Sequence, residues 1–301
     1  MEVKKILVVG SSNTDMVIKA TNFPGPGETI LGGRFLMNAG GKGANQAVAA
    51  ARLGGVVTFV GKIGNDIFGK LAIQQLEDEG VNVDFVAIDP ENPSGVALIT
   101  VDSKGENSIV VAPGSNGTLS SADFDKAIEE LEGSEYVLMQ LEIPIPTVEY
   151  IAGLAAQKQK KVVLNPAPAA KFSDELLKNL YIITPNETEA ELLTGVKVND
   201  EQSALKAATL LNEKGVEIVI ITMGSAGAFL LVSGQSEMIK SSKVEAVDTT
   251  AAGDTFNGAL VVALSEGKTI HESIAFANIA AAISVTRIGA QSSVPFRKEI
   301  V

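Results

Sequence analysis

The sequence of 301 residues contains no cysteine and a single histidine, His271. The absence of cysteine excludes disulfides, thiolate zinc sites and a cysteine nucleophile. His271 lies near the start of a helical pattern and belongs to no constellation, so we predict an exposed surface residue. Ser-His-Asp hydrolysis and histidine-rich metal sites are thereby excluded, and proton transfer must fall to Asp, Glu, Lys or Tyr. A cytoplasmic location is compatible with a chain without cysteine, and we expect it.

Long apolar runs and an excess of basic residues are also lacking. No run approaches the ~18 apolar residues that a membrane span needs, and no leader with a cleavage site is visible, so we expect neither a membrane partner nor a signal peptide. Lys and Arg number 24 against 36 Asp and Glu, a net charge of −12. With no basic stripe carrying interleaved aromatics, a nucleic-acid partner is disfavoured. A small-molecule ligand fits better, and for an anionic one backbone dipoles and a metal must supply positive potential.

Apolar runs typical of buried strands alternate with helical patterns along most of the chain. The runs are continuous and rich in β-branched residues, which favours a parallel sheet covered on both faces. The predicted strands are 5–10, 56–61, 136–142, 161–168, 181–187 and 217–224, and the predicted helices are 66–79, 121–131, 146–158, 201–214 and 256–264. Alternating βα units predict an α/β sandwich with crossover helices, in one domain over 1–301.

Two regions depart from this rhythm. Residues 14–38 are turn-rich with strand-like pieces, and residues 93–112 predict a β-hairpin around "DSKGEN". Two β segments that interrupt an α/β core predict a small sheet of their own, serving as a lid or an interface.

A glycine-rich stretch, "NAGGKGANQAVAAARLGG" at 38–55, places Gly40, Gly41 and Gly43 around Lys42 before an Ala-rich helix. Glycines let a ligand approach the backbone, and the N–H groups at a helix start bind polar or anionic groups. The stretch is neither a Walker A loop nor a G-x-G-x-x-G motif. Tight packing of the helix on the sheet explains the glycines equally well.

Polar side chains follow the predicted strands. "GSSNTD" places Asn13 and Asp15 beyond the first strand, and "LMQLEIP" places Glu142 at another strand end. Open α/β sheets bind ligands at that edge. Together with Asn45 these residues suit a polyhydroxyl compound, although each alone is equally a cap or turn residue.

An acid stands where a helix begins in "VDTTAAGDTFNGAL", residues 247–260. Asp254 is an ordinary N-terminal cap in one interpretation. In the other it performs acid–base chemistry beside an anion site formed by the same N–H groups. The two interpretations are compatible.

Two further motifs carry candidate ligands. "TPNETEAELLTG" at 184–195 spaces Asn186 and Glu189 three residues apart, which suits Mg²⁺ held through water beside phosphates, or simply a capping box. "TMGSAGAF" at 222–229 is a Gly/Ser turn after a strand, equally readable as a plain hairpin.

Together these motifs resemble the ribokinase family of sugar and nucleoside kinases, the PfkB group, from "GSSNTD" to "GAQSSVP". The resemblance is specific in two long motifs, "NAGGKGANQAVAAARLGG" and "VDTTAAGDTFNGA". Within the family, "TPNETEAELLTG" and "TRIGAQSSVP" most resemble the bacterial members. The resemblance implies a ribokinase-like three-layer α/β/α sandwich with a mostly parallel central sheet and a small β-sheet lid. It also implies ATP-dependent phosphorylation of D-ribose at its 5-hydroxyl. Many members carry glycine where this chain has Ala251, which would fit comfortably only with φ below zero.

The same resemblance assigns roles by position. Asp254 would be the general base, with an anion hole from the backbone N–H groups of Ala251, Ala252, Gly253 and Asp254. The sugar would be held by Asn13, Asp15, Gly41, Lys42, Asn45, Glu142 and Asp254. ATP would be surrounded by Asn186, Thr222, Gly224, Ser225, Gly227, Gly253 and Asn278. Mg²⁺ would be organised by Asn186 and Glu189, and K⁺ by Asp248, Ser293 and the carbonyls of Thr250, Ser284, Arg287 and Gly289. The lid would close over the sugar and pair two subunits in a homodimer, with Ala97 and Ile109 as candidates for specificity.

Three alternatives stay open. The nearest is a kinase of the same family for another sugar or a nucleoside, such as deoxyribose, fructose or adenosine. Another is a non-catalytic sugar-responsive regulator on the same fold, which would not require Asp254 and Gly253. A nicotinamide-dependent dehydrogenase is disfavoured by the missing G-x-G-x-x-G.

Overall fold

The computed structural model describes residues 4–300, so the predicted domain range of 1–301 extends beyond the described residues at both ends. The strands are β1 (Lys5–Val9), β2 (Asn13–Lys19), β3 (Phe35–Gly40), β4 (Val56–Val60), β5 (Lys62–Gly64), β6 (Ala87–Asp89), β7 (Gly95–Val101), β8 (Asn107–Ala112), β9 (Ser134–Met139), β10 (Lys161–Leu164), β11 (Ile182–Ile183), β12 (Ile218–Thr222), β13 (Ala228–Val232) and β14 (Gln235–Ile239). The α-helices are α1 (Lys42–Arg52), α2 (Ile67–Asp78), α3 (Ser121–Phe124), α4 (Ile128–Gly133), α5 (Ile145–Gln157), α6 (Asp174–Lys178), α7 (Glu187–Thr194), α8 (Glu201–Glu213), α9 (Ala252–Ser265) and α10 (Ile270–Ser284).

Within residues 4–300, eight strands form the central sheet in the order β14-β13-β12-β11-β10-β9-β1-β4. The strands from β12 to β4 pair in parallel, as predicted, whereas β13 and β14 pair antiparallel at one edge. Successive side chains of β1 enter two different apolar clusters, Leu7 and Val9 on one face and Ile6 and Val8 on the other. Helices α5 and α8 complete the first cluster, and α1, α9 and α10 complete the second. The predicted three-layer sandwich is confirmed.

The two regions outside the βα rhythm form a second sheet, in the order β3-β2-β7-β8. Strand β2 pairs in parallel with β7, and β7 and β8 are the two strands of the predicted antiparallel hairpin. Since β2 begins shortly after β1 ends, this sheet continues from the carboxyl edge of the central sheet. Strand β8 is exposed along its whole length.

Some predicted element boundaries are wrong. The helix expected over 121–131 is divided into α3 and α4, because Ala127 leaves helical geometry at φ −102° and ψ 14°. The strand expected over 181–187 ends at Ile183, because Asn186 turns the chain to cap α7. The strand expected over 136–142 spans 134–139.

Two smaller predictions are confirmed. The stretch 222–229 contains the turn of the β12–β13 hairpin. His271 is exposed, and its Nε2 lies 2.8 Å from the carboxylate of Glu237. No helix within the described range has the length and apolar character needed to cross a membrane.

Candidate active site

Polar residues that follow four parallel strands, the predicted Glu142 among them, lie at the carboxyl edge of the central sheet. Ser11 follows β1, Glu142 follows β9, Asn165 follows β10 and Thr184 follows β11. These strands are parallel, so their ends meet at one edge, where α/β sheets bind ligands. A cavity of about 740 Å³ opens there.

The N-terminus of α9 forms one wall of this cavity. Ala251, Ala252, Gly253 and Asp254 all line it, and the first bond within the helix runs from the N–H of Thr255 to the carbonyl of Ala251. The N–H groups before Thr255 therefore have no acceptor inside the helix, and the helix dipole favours negative charge beside them. The N–H of Ala252 donates to the carbonyl of Thr249 over 3.3 Å, so one predicted anion-hole donor is engaged within its own turn.

Ala251 adopts the left-handed conformation, with φ 57° and ψ 17°. The condition for a comfortable fit of alanine, a φ below zero, is therefore not met. The turn that leads into α9 imposes this conformation, which glycine adopts freely and which costs other residues roughly 1–2 kcal/mol.

Two amide donors from α1 hold the carboxylate of Asp254, which is only 5% exposed. Nδ2 of Asn45 donates to Oδ2 over 3.0 Å, and Nε2 of Gln46 donates to Oδ1 over 2.9 Å. Both donors are neutral, so they orient the carboxylate and leave its negative charge in place. Asp254 is thus a fixed, buried carboxylate in the first turn of α9. The capping interpretation is wrong, because Ala251 is the N-cap and the Asp254 side chain accepts from Asn45 and Gln46 instead of from the helix N–H groups.

Gln46 extends this arrangement into a chain of buried polar side chains. Its Oε1 accepts a hydrogen bond from Nε2 of Gln140 over 2.6 Å, and its Nε2 also donates to Oδ1 of Asn165 over 3.0 Å. Nδ2 of Asn165 donates to the carbonyl of Thr184 over 3.3 Å. The chain therefore spans α1 and the ends of three neighbouring strands.

A second pair of bonds returns from Thr184 to the start of α9. The hydroxyl of Thr184 donates to Oδ1 of Asn257 over 2.6 Å, and Nδ2 of Asn257 donates to the carbonyl of Gly253 over 2.8 Å. Sequence reasoning missed Gln46, Gln140, Asn165 and Asn257. The signal that could have found two of them is an amide inside or directly after an apolar strand run, in "YVLMQ" and "KVVLN".

The residues assigned to the sugar come from β2, from α1 and the glycine before it, and from the segment after β9. Oε2 of Glu142 accepts from the hydroxyl of Ser11 over 2.5 Å and from the N–H of Lys42 over 3.0 Å. Gly41 has φ 87°, and a Cβ there would lie 2.7 Å from the backbone nitrogen of Asn13. Only glycine fits this close approach between the start of α1 and the chain after β1.

Asn116 is a further residue that sequence reasoning missed. Its Nδ2 donates to Oδ1 of Asn13 over 2.8 Å, and its Oδ1 accepts from the N–H of Ser12 over 2.9 Å. Asn116 therefore fixes the side chain of Asn13, the first residue of β2 in the second sheet.

Several charges are concentrated around Lys42. Burial, and then the nearby carboxylates of Glu142 and Asp254, raise the pKa of Asp15 to about 6. Burial alone would lower the pKa of Lys42, but the carboxylates of Asp254, Glu142, Glu189 and Asp15 outweigh it and raise that pKa above its usual range. Burial likewise raises the pKa of Glu189, partly offset by the N–H of Asn186 and by Lys42. Lys42 is therefore a permanent cation among acids.

Every residue that the resemblance assigned to ATP lines the 740 Å³ cavity, namely Asn186, Thr222, Gly224, Ser225, Gly227, Gly253 and Asn278. Apolar side chains of Val244, Ala281 and Val285 complete the wall, which suits a flat base. Lys42, Thr184 and Asn165 also line the cavity, so it reaches the polar network around Asp254. Its volume lies within the ~300–1,000 Å³ usual for small-molecule sites.

Asn186 and Glu189 form a reciprocal capping box at the start of α7. The N–H of Asn186 donates to Oε2 of Glu189 over 2.9 Å, and the N–H of Glu189 donates to Oδ1 of Asn186 over 2.8 Å. The capping interpretation is confirmed. No group of three or more Asp, Glu or His side chains within residues 4–300 is arranged to hold a metal ion, so a metal here would depend on Glu189, water and phosphate oxygens.

Among the residues predicted to bind a monovalent cation, two are connected by hydrogen bonds to a third, Asp248. Oδ1 of Asp248 accepts from the N–H and the hydroxyl of Thr250, and Oδ2 accepts from the N–H of Gly289 over 2.9 Å. These hydrogen bonds outweigh burial and lower the pKa of Asp248. Ser284 and Ser293 are fully buried, each donating within its own turn, to the carbonyls of Ala281 and Ala290.

Comparisons with known proteins show the family of this chain. Residues 3–297 match the family described as pfkB family carbohydrate kinase. The ribokinase of Haemophilus influenzae is 50% identical over 98% of this chain and 97% of its own length. The ribokinase of Bacillus subtilis is 41% identical over 99% and 98%.

A solved structure has the same fold. The Arabidopsis thaliana ribokinase complexed with ribose and ATP superposes with a TM-score of 0.93 at 34% identity, over 99% of this chain and 98% of that one.

Proposed function

Because this chain belongs to the pfkB family of carbohydrate kinases, we propose that Asp254 is the general base of its phosphoryl transfer. The family expected from the motifs is confirmed. The activity is ATP-dependent phosphorylation of D-ribose, since ribokinases share up to 50% identity over nearly the whole chain. One observation supports the role of Asp254. Its buried carboxylate lies at the start of α9, lines the 740 Å³ cavity and accepts a hydrogen bond from Asn45, one of the residues assigned to the sugar.

In the proposed step the 5-hydroxyl of ribose gives its proton to Asp254 while its oxygen attacks the γ-phosphorus of ATP. The bond from the γ-phosphorus to the β–γ bridging oxygen breaks, and ADP leaves with that electron pair. Phosphoryl transfer needs positioning and charge stabilisation more than covalent chemistry. The N-terminus of α9 and the protonated Lys42 supply the positive potential.

We assign the sugar to Asn13, Asp15, Gly41, Lys42, Asn45 and Glu142, and ATP to the cavity residues given above. Oδ1 of Asn45 supports the sugar assignment, because it is buried without a hydrogen-bond partner within residues 4–300. Ala97 pairs with Asp15 in the β2–β7 register and is buried, so it is placed to limit sugar substituents. Ile109 lies on the exposed β8, and its role depends on closure of the second sheet as a lid.

Mg²⁺, when bound, supplies positive charge beside the phosphates. We assign it to Glu189 and Asn186, which both line the cavity. One carboxylate with one amide suits a hydrated Mg²⁺ next to nucleotide phosphates.

K⁺, when bound, supplies charge that fixes the loop ahead of α9. We assign it to Asp248, the hydroxyl of Ser293 and the carbonyls of Thr250, Ser284, Arg287 and Gly289. The support is that Asp248 joins Thr250 to Gly289, and that this loop leads directly into Ala251.

We assign a homodimer to the second sheet. Leu98, Ile109 and Val110 are large apolar side chains exposed on β7 and β8, and exposed apolar patches of this kind mark interaction surfaces. Sedimentation of the parent and of Val110→Glu tests this, and a monomeric parent would contradict it. The cytoplasmic location stays a prediction.

The experiment is ADP release from Mg-ATP with ribose, deoxyribose, fructose, adenosine or no sugar, each in K⁺ or Na⁺. The fastest turnover is expected on ribose, and it should rise with K⁺. Preference for another acceptor would keep the mechanism and change the substrate. A folded protein that binds ribose without turnover would instead be the sugar-responsive regulator.

A further inference from the structure

We infer that Gln46 is a positioning residue for phosphoryl transfer, because its side-chain amide holds the carboxylate of Asp254 in the orientation that a general base needs. The inference rests on the proposed role of Asp254. Gln46 is fully buried on α1, and among the described residues it is not part of the cavity wall. It therefore acts through Asp254 and does not touch the nucleotide.

The orientation of the Gln46 amide is dictated by its three partners. An ionised carboxylate only accepts hydrogen bonds, so Nε2 must face Oδ1 of Asp254, 2.9 Å away. The second hydrogen on Nε2 is used by Oδ1 of Asn165 at 3.0 Å, and Oε1 receives Nε2 of Gln140 at 2.6 Å. A flipped amide would set Oε1 against two acceptors and lose all three bonds.

The partners of Gln46 are themselves fixed by the central sheet. Gln140 follows β9 directly and Asn165 follows β10 directly, and both are buried. Helix α1 also packs tightly against α9, because a Cβ at Gly258 would lie 2.8 Å from the carbonyl oxygen of Gln46. Two strands and one helix packing contact thus fix the donor that faces Asp254.

The surrounding charges explain why a neutral donor suits this position. The charged groups that interact with Asp254 are Asp15 from β2, Lys42 from α1 and Glu189 from α7. Lys42 is the cation of this group, and Gln46 adds a hydrogen-bond donor without adding a second cation. A cation in place of Gln46 would pair with Asp254 and reduce its ability to take a proton, whereas an amide does not.

The test compares Gln46→Met, which keeps the length of the side chain and removes the amide, with Val48→Ala as the control. Val48 is buried on the same helix, so its truncation reports a loss of packing without a change at Asp254. Both are measured by kcat and KM for ribose and for ATP, by the pH profile of kcat and by thermal unfolding. Gln140→Met is a second variant, which keeps the donor and removes its anchor.

For Gln46→Met we expect kcat to fall by about 10- to 100-fold, since a misplacement of roughly 1 Å at a reacting group costs about 10²-fold. Both KM values should stay within about threefold, because ground-state contacts are kept. The acid limb of the pH profile should move up by about one pH unit, the effect of losing one hydrogen bond to a charged group. Gln140→Met should move kcat and the acid limb in the same directions by less, and Val48→Ala should leave the acid limb in place.

Combination with Asp254→Asn separates this inference from the proposed function. If Gln46 acts through the base, adding Gln46→Met to Asp254→Asn should lower kcat by less than about threefold further. A folded Gln46→Met with parental kcat and pH profile overturns the inference, as does a loss that adds fully to that of Asp254→Asn. If Gln46→Met does not fold, an unchanged acid limb in Gln140→Met overturns it. An active Asp254→Asn would instead overturn the proposed base.

Discussion

The side-chain amide of Asn45 donates through Nδ2 to Oδ2 of Asp254 over 3.0 Å, while its own Oδ1 is buried and unpartnered within the described residues. A buried acceptor without a donor costs roughly 1–3 kcal/mol. A sugar hydroxyl beside Asp254 would donate the missing hydrogen bond to Oδ1 of Asn45. If ribose binds as proposed, the same side chain would contact the sugar and orient Asp254.

Replacement of Asn45 should affect both functions. In Asn45→Ala the KM for ribose should rise by about five- to tenfold, the effect of one hydrogen bond of about 1 kcal/mol, and kcat should fall because Asp254 loses a donor. The KM for ATP should be unchanged. Steady-state kinetics with each substrate varied in turn provide the check, and an unchanged KM for ribose would remove Asn45 from the sugar site.

The ionised carboxylate of Asp15 is expected to lower the free energy of unfolding at neutral pH, although it contributes to ribose binding. Its carboxyl pKa is raised from 3.8 to about 6 by burial, Glu142 and Asp254. The folded state therefore binds more protons than the unfolded state between these values, and the free energy of unfolding falls as pH rises through this window. A shift of this size corresponds to at most about 3 kcal/mol.

Asp15→Asn should accordingly raise the free energy of unfolding at pH 7 by up to about 3 kcal/mol, with the gain shrinking towards pH 4. Ribose affinity should drop by about 10- to 100-fold, since hydrogen bonds to a charged acceptor are lost. Urea unfolding at pH 4, 5.5 and 7, together with ribose titration calorimetry, measures both. A gain that is equal at all three pH values would show that the ionised carboxylate is not its source.

Ala251 pays a conformational cost in the left-handed region, at φ 57°. Ala251→Gly should stabilise the protein by up to about 1 kcal/mol, because relief of that strain exceeds the added freedom of the unfolded chain. Catalysis should be retained, since the backbone geometry of the turn is unchanged. Gln159→Gly, at an exposed position that also has φ 57°, is the control. Thermal unfolding and kcat are compared between the parent and each variant. A destabilised Ala251→Gly would show that the left-handed conformation of Ala251 does not reduce stability.

Glu189→Gln tests the metal assignment without disturbing the fold. Glutamine serves in a capping box as well as glutamate does, so α7 should remain intact while the carboxylate charge is lost. The Mg²⁺ concentration for half-maximal rate should rise severalfold, as a hard cation prefers a carboxylate. Glu191→Gln, exposed on the same helix, is the control. Superimposable Mg²⁺ titrations of parent and Glu189→Gln would dismiss the metal role.

Much of the fold and the sugar site could be predicted from local sequence. The runs around Leu7 and Val137 are continuous and apolar, and such runs lie in a parallel sheet. Asn13, Asp15 and Glu142 follow those runs, so their place at the carboxyl edge of the sheet could be predicted, whereas their proximity depends on the pairing of β1 with β9.

The polar network around Asp254 could not be predicted in the same way. Gln46 and Asp254 are 208 residues apart in the sequence. Gln140 and Asn165 can be placed near Gln46 only when β9 and β10 are known to be neighbouring strands packed against α1. The left-handed Ala251 was also beyond local reasoning, because the turn into α9 overrides the preference of alanine.

The central claim is that Asp254 takes the proton of the ribose hydroxyl. It is tested most directly by the kcat of Asp254→Asn with saturating ribose and Mg-ATP, alongside ribose and ATP binding and thermal unfolding of the same preparation. The variant removes the carboxylate charge and keeps an acceptor for Asn45 or Gln46. We predict a fall in kcat of about 10²- to 10⁴-fold with ATP binding and folding nearly intact. A kcat within twofold of the parent would mean that Asp254 is not the general base.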